Sequence, residues 1–347
     1  MDVEARWWHE LQDGRLQCDL CPRECRLGEG QKGFCFVRER RDGRMLLTAW
    51  GQSTGLCVDP IEKKPLAHFL PGSNVLSFGT AGCNLGCRFC QNWTTSKARE
   101  WQGAAHETSP EAITEAALRQ HCASVAFTYN DPTIFAEWAM DVADACHEQG
   151  LLTVSVTAGY IHATPRRELY AKMDAANVDL KAFTEGFYER LCFARLQPVL
   201  ETIEYLVKET PVWVEVTTLL IPGHNDSEAE VTRLAEWMVG HIGPQVPLHF
   251  SAFHPDFKLL DVLPTPVATL RRARAQAKAA GLCHVYTGNV HDPEGDMTFC
   301  ASCGATLITR DWYQLLSYRL TPDGCCPDCA TPLAGRFAAG AGLSGVL

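Results

Sequence analysis

The chain has no apolar run that reaches the roughly 18 residues a bilayer-crossing helix needs, which sets aside integral membrane functions. Its first residues, Met1 to His9, contain charged groups and form no apolar signal segment, so the expected location is cytoplasmic, away from membranes. There is no run of basic residues, and the formal net charge is −10. That balance argues against a sequence-independent grip on a phosphate backbone, so no nucleic-acid partner is expected. Long internal repeats are absent too. What remains is a chain of 347 residues, 46% hydrophobic and 21% charged, enough for one large soluble domain with appendages. Cysteine is abundant, with seventeen in all. In a cytosolic chain that number points to metal binding or catalysis more than to disulfides.

Eleven of the cysteines fall into three sets with different spacings. Cys83, Cys87 and Cys90 stand in Cys-x3-Cys-x2-Cys spacing within Gly79–Trp93, with Phe89 just before the last thiol and no fourth cysteine nearby. A cubane iron–sulfur cluster has four irons, each wanting a ligand. Three thiolates on one short loop hold three irons and leave the fourth open, where the amine and carboxylate of S-adenosylmethionine (SAM) can bind. The second set is Cys18, Cys21, Cys25 and Cys35, four thiols in 18 residues interleaved with Pro22, Gly28, Gly30 and Gly33. They suit a small metal-bound knuckle, with tetrahedral zinc preferred and a four-ligand iron–sulfur cluster as the alternative. The third set is Cys300, Cys303, Cys326 and Cys329, two Cys-x2-Cys knuckles separated by 22 residues, the spacing of a zinc ribbon or rubredoxin-like module holding zinc or iron. Cys325 beside it is left out of that set.

Between these modules the sequence alternates. β-Rich apolar runs at Asn74–Thr80, Ser124–Asn130, Leu151–Thr157, Asn177–Phe183, Pro211–Leu220, Val246–Phe253 and His284–Gly288 are separated by stretches with helix signals. Ser109-Pro110, Asp131-Pro132 and Thr265-Pro266 read as helix starts, and Ser227 to Glu230 as a capping box. The pattern predicts an α/β fold, a partial (β/α)6-type barrel with cysteine-rich metal modules at both ends. The expected divisions are 1–42 for the N-terminal module, 43–73 for a linker or lid, 74–292 for the barrel, 293–335 for the ribbon and 336–347 for a tail, with looseness from Ala330 onward. Active sites of such barrels lie at the C-terminal ends of the strands, where the Cys83 loop falls.

The Cys-x3-Cys-x2-aromatic-Cys loop directly after a strand resembles the signature of the radical SAM superfamily. The resemblance implies a [4Fe-4S] cluster on Cys83, Cys87 and Cys90, and reductive cleavage of SAM to a 5′-deoxyadenosyl radical that abstracts hydrogen from a substrate. It also implies SAM contacts. Phe89 belongs to the loop. Tyr129-Asn130-Asp131-Pro132 resembles the Gly-Gly-Glu-Pro segment that meets the SAM amine, which brings in Asn130 and Asp131. Thr157 ends the third run. Asp179 and Lys181 share one strand face, a charge pair costly to bury without partners, and resemble an Asp-x-Lys of glycyl-radical activases. His254 matches an activase histidine. His249 reads as a core residue as readily as a site residue.

Across residues 15 to 330 the chain resembles the radical SAM enzyme of the AmmeMemoRadiSam system, within the pyruvate-formate-lyase-activase-like group. The carrying stretches include Cys18 to Cys35, Asp59-Pro-Ile-Glu-Lys-Lys-Pro-Leu66, Asp179-Leu-Lys-Ala-Phe183 and Pro222 to Asp226. That likeness implies Memo-like and AMMECR-like partner proteins and a reductant such as flavodoxin or ferredoxin. It supplies no substrate. An activase that installs a glycyl radical on a partner enzyme, and a non-catalytic metal scaffold or electron carrier, are the competing expectations.

Overall fold

In a computed structural model of the chain, the described residues are 2–98 and 106–337. All seven expected β-rich runs form strands of one sheet. In chain order the sheet contains β1 (Cys57–Pro60), β2 (Asn74–Phe78), β3 (Ser124–Phe127), β4 (Leu152–Thr157), β5 (Ala175–Asp179), β6 (Trp213–Leu220), β7 (Leu248–Ala252) and β8 (Val285–Gly288). Each strand lies beside its predecessor in sequence. From β2 to β8 all neighbours are parallel, while β1 runs antiparallel along the outer edge of β2. Right-handed crossovers between adjacent parallel strands put the helices on one face and curl the sheet around the other. The sheet does not close: β8 and β1 are its two ends.

The crossover helices are α1 (Pro110–Arg119), α2 (Ala136–Glu148), α3 (Ala163–Tyr170), α4 (Gln197–Glu209), α5 (Glu228–His241) and α6 (Val267–Ala279). Ser109 caps α1 by accepting from the Ala112 N–H, and Asp131 caps the 3-10 turn that leads into α2 by accepting from the Thr133 N–H. The capping box at α5 is only half formed. Ser227 accepts from the Glu230 N–H, but the Glu230 carboxylate turns inward to the Phe183 N–H instead. At α6 the cap is Pro266, because the Thr265 hydroxyl donates to the Leu220 carbonyl and accepts from the Phe253 N–H. Phe78, Phe127 and Trp138 pack α2 on β2 and β3, with ring centroids 5.4 and 5.0 Å from Phe78.

The N-terminal segment folds into two small antiparallel sheets, one of which contains Leu16–Cys18. It docks on α2 through Arg38, whose guanidinium grips Glu137 with two bonds of 2.8 and 2.6 Å, both side chains buried. The C-terminal module is a three-stranded sheet, β9 (Thr298–Phe299), β10 (Thr306–Asp311) and β11 (Gln314–Tyr318). Arg310 anchors it to the segment before β2 by donating to the Ala67 carbonyl, and within the module it donates to the Thr298 hydroxyl. The looseness expected from Ala330 onward is not found as far as residue 337. The Arg336 N–H donates to the His68 carbonyl, and the Leu70 N–H donates to the Arg336 carbonyl, because the chain passes back along the 68–70 segment. The rest of the expected tail, residues 338–347, lies outside the described residues.

Candidate active site

The Cys83 loop is set by close backbone approaches. A Cβ at Gly79 would meet the Thr128 carbonyl at 2.3 Å, and one at Gly82, where φ is +91°, would meet the Cys35 carbonyl at 2.1 Å. Only glycine fits either place. Downstream, the Gly86 and Arg88 N–H groups donate to the Cys192 and Leu191 carbonyls, each at 2.9 Å, so the loop lies against the π-helical turn Tyr188–Cys192. Asn84 donates to the Tyr160 carbonyl, Arg23 to the Asn84 carbonyl and Lys97 to the Leu85 carbonyl. Five separate segments thus hold one short loop in place.

Cys83, Cys87 and Cys90 all line one cavity at the C-terminal ends of β2 to β6, open to solvent, whose space together with its solvent-filled mouth is about 960 Å³. The Leu85 N–H points to the Cys83 sulfur at 3.5 Å, and the Ser96 hydroxyl lies 3.1 Å from the Cys90 sulfur. Cys192, which the spacing rules single out in no way, packs its buried thiol against Cys87. The Phe89 ring is buried and packs on Phe187 with centroids 5.6 Å apart.

The remaining expected contact residues divide into three groups. Asp179 and Lys181 form an ion pair of 2.8 Å facing the cavity, with Asp179 about a third exposed and Lys181 mostly buried. Burial pulls the Lys181 ammonium down, but Asp179 and the neighbouring Cys87 and Cys192 outweigh it, so it stays firmly charged. Asn130, Asp131 and Thr157 also reach the cavity wall, but their polar groups serve the fold. The Asp131 carboxylate accepts from Thr133 N–H, Thr157 hydroxyl and Ala158 N–H. The Asn130 amide donates to the Thr80 hydroxyl and the Gly82 carbonyl, stitching the end of β3 to the cysteine loop. His254 does not join the cavity lining. It stands exposed at the rim, its Nδ1 accepting from the Gln91 amide at 2.9 Å.

A second compartment, of about 680 Å³, opens beside the first and shares Thr217, Ser251 and Asn289 with it. Its roof includes Trp312 and Tyr313 from the terminal module. Strand register places Asp179, Thr217, His249 and Tyr286 in one row across β5 to β8. One step down β6 from Thr217 on the same face is Glu215, fully buried. Its carboxylate accepts from the Ala67 and His68 N–H groups, the Trp213 indole and His249 Nε2, the last at 2.6 Å. Burial pushes this carboxyl up, but His249, His68 and Trp213 outweigh it and bring it down to about 2. The buried Thr217 hydroxyl has no protein partner. Asp296, also lining this compartment, is pushed up to about 7 by burial. The missed signal for Glu215 was available: a lone acid inside Val212–Leu220, an otherwise apolar and β-branched strand, needs partners.

Segment 57–68, dense in charge, forms a wall of the second compartment through Glu62, Lys63, Pro65 and Ala67. Asp59 binds Lys63 and Lys64, each at 2.7 Å, and accepts from the Tyr129 hydroxyl. Burial would raise the Asp59 carboxyl, but the two lysines hold it well below the ordinary range. The three open thiols and the paired Asp179 and Lys181 around one open cavity suit a cluster with one free iron and a ligand that carries charges of both signs, as SAM does. The terminal Cys300, Cys303, Cys326 and Cys329 have sulfurs all within 4.8 Å of one another, a group capable of holding one metal ion.

Residues 78–235 match the family described as the Radical SAM superfamily. An uncharacterized protein of Methanocaldococcus jannaschii is 42% identical over 307 residues, covering 88% of this chain and 91% of its own length. Among solved structures, a radical SAM methyltransferase from Sphaerobacter thermophilus aligns with a TM-score of 0.51 at 19% identity, over 69% of this chain and 71% of that one. That likeness is one of fold. Streptococcus suis SuiB bound to S-adenosylmethionine aligns with a TM-score of 0.49 at 14% identity, over 67% of this chain and 53% of that one.

Proposed function

The chain belongs to the radical SAM superfamily, and from that premise we propose that it is an enzyme that reductively cleaves SAM and abstracts hydrogen from a small substrate. The observation that carries this reading is the meeting of Cys83, Cys87 and Cys90 with Asp179 and Lys181 around one cavity. In this reading the three thiolates hold a [4Fe-4S] cluster. Cluster and SAM together supply one-electron chemistry when bound. The protein's own part is to place and shield. Asp179 and Lys181 offer one charge of each sign to the ammonium and carboxylate of the ligand. Asn130, Asp131 and Thr157 keep the strand ends in shape, and Phe89 packs the loop on Phe187.

The neighbouring compartment is the substrate's place. It adjoins the SAM cavity, and its polar groups are already aimed: the unpartnered Thr217 hydroxyl and the His249 ring held by Glu215. A substrate with a hydrogen-bonding oxygen or nitrogen next to the reacting carbon suits them. For the electron donor, a groove on the other side of the loop exposes Phe34 and Phe193 and is lined by Cys83, Arg88, Lys97 and Lys258. An acidic carrier of the flavodoxin or ferredoxin kind complements that charge. The resemblance in sequence further supports a cytoplasmic enzyme working beside Memo-like and AMMECR-like proteins, with zinc in the terminal quartet.

Anaerobically reconstituted protein given dithionite and SAM is expected to release 5′-deoxyadenosine and methionine in equal amounts, and Cys87→Ala to release neither. Iron-loaded wild-type protein that releases no 5′-deoxyadenosine would overturn the reading.

A further inference from the structure

The two four-cysteine sets differ in a way the spacing did not decide. In the terminal set Cys300 and Cys329 sulfurs are 3.5 Å apart, and Cys303 and Cys326 sulfurs 3.7 Å. A zinc ion with sulfurs at about 2.3 Å in a tetrahedron spaces them about 3.8 Å apart, so the terminal set matches a single ion. Two sulfurs on one such ion are never more than about 4.6 Å apart. Among the described residues, the terminal set is the one group whose ligand atoms all lie within 4.8 Å. The sulfurs of Cys18, Cys21, Cys25 and Cys35 do not draw together that closely.

Yet those four residues converge. The Cys18 N–H donates to the Cys25 carbonyl at 2.9 Å, and the Cys21 carbonyl accepts from the Glu24 N–H in the turn between them. Gly33 packs against the Cys25 sulfur, and the Phe34 N–H points to the same sulfur at 3.5 Å. Cys18, Cys21 and Cys35 are buried, and none of the four is in a disulfide. Four converging thiols, mostly dry and spaced too widely for one ion, suit a cluster in which each binds a different iron.

The set also touches the active-site loop. The Cys35 carbonyl packs on the bare Cα of Gly82, the residue before Cys83. Arg23, between Cys21 and Cys25, donates to the carbonyl of Asn84. The hydroxyl of Tyr160 and the guanidinium of Arg195 both reach the Pro22 carbonyl.

We propose that Cys18, Cys21, Cys25 and Cys35 hold a second iron–sulfur cluster, one backbone contact from the Cys83 loop, that passes electrons to it. One electron from an external one-electron carrier reduces this cluster. The same electron then moves to the loop's cluster, and the N-terminal cluster returns to its oxidised form. Only the transfer step rests on the proposed function; the site itself does not.

The test uses full-length protein, reconstituted anaerobically with iron and sulfide. With Cys83, Cys87 and Cys90 all changed to Ala, about four irons per chain are expected to remain, with an S = 1/2 signal after dithionite. Cys21→Ala alone should lower iron from about eight to about four per chain. In wild-type protein the two reduced clusters should broaden each other's resonance, and either variant should remove that broadening. Less than one iron per chain in the triple variant overturns the second cluster. Iron in that variant without mutual broadening in the wild type overturns the transfer role. Two clusters without 5′-deoxyadenosine release would fault the proposed function and leave this site standing.

Discussion

At the scale of single residues, the ion pair of Asp179 and Lys181 separates binding from architecture. Both groups face the cavity, whereas on the same wall Asp131 is engaged by Ala158 at the end of β4 and Asn130 by Gly82 of the cysteine loop. Asp179→Asn removes one charge from the ligand's surroundings and leaves Lys181 unpaired. SAM affinity is expected to fall at least tenfold, about 1.4 kcal/mol, by equilibrium dialysis, with the circular dichroism spectrum unchanged. The Glu215 carboxyl is brought from 4.5 to about 2 by partners that overcome burial. A carboxyl depressed in the fold stabilises it fully above its ordinary value and loses that contribution as pH falls towards the folded value. The window therefore runs from about 4.5 down to about 2, and the contribution at neutral pH is about 3 kcal/mol. Urea unfolding of Glu215→Gln should show that loss at pH 7 and a flatter stability profile below pH 4.5. A profile parallel to wild type would show that Glu215 is not ionised in the fold. Sequence showed Asp179 and Lys181 because charge on an apolar strand stands out. It left His249 ambiguous, because its importance comes from lateral register between strands far apart in the chain.

At the scale of elements, the cysteine loop and the strand before it were readable because glycine, cysteine and aromatic spacing are local. The helix starts were readable for the same reason at Ser109 and Asp131. They were less so at Glu230 and Thr265, whose side chains leave the helix end for partners on other segments. The docking of the terminal module was not readable, since it depends on Arg310 meeting Ala67 and on Arg336 meeting His68 across the fold. This module has a small core of its own, with Leu307, Ile308 and the buried Cys300 and Cys326. So few apolar side chains need a bound metal to hold them. Chelating the metal that the terminal cysteine quartet can hold is expected to raise amide exchange across residues 298–333 while β3 to β7 stay protected. Unchanged protection in 298–333 after complete metal loss would show that the metal has no structural part there.

At the scale of the whole molecule, three parts meet at one place. The barrel provides the cavity, the N-terminal segment braces the cysteine loop through Arg23 and Cys35, and the terminal module roofs the second compartment with Trp312 and Tyr313. The β/α alternation and the three cysteine sets were legible in the chain, while this convergence was not, because no local pattern encodes which face of a module touches another. No helix among the described residues is long and apolar enough to cross a membrane. Burial holds the His68 imidazole at about 4 and that of His284 at about 3, so both stay neutral in the fold at pH values where the unfolded chain would protonate them. Stability therefore falls as pH drops below about 6.5, in the same direction as the Glu215 effect. The claim that joins the parts is that SAM binds the open iron of a cluster on Cys83, Cys87 and Cys90. The direct measurement is hyperfine spectroscopy of the dithionite-reduced protein with SAM labelled by 15N in its amine and 17O in its carboxylate. Coupling of both labels to the cluster, absent in Cys87→Ala, is the predicted result; a fully iron-loaded protein showing coupling to neither label would contradict it.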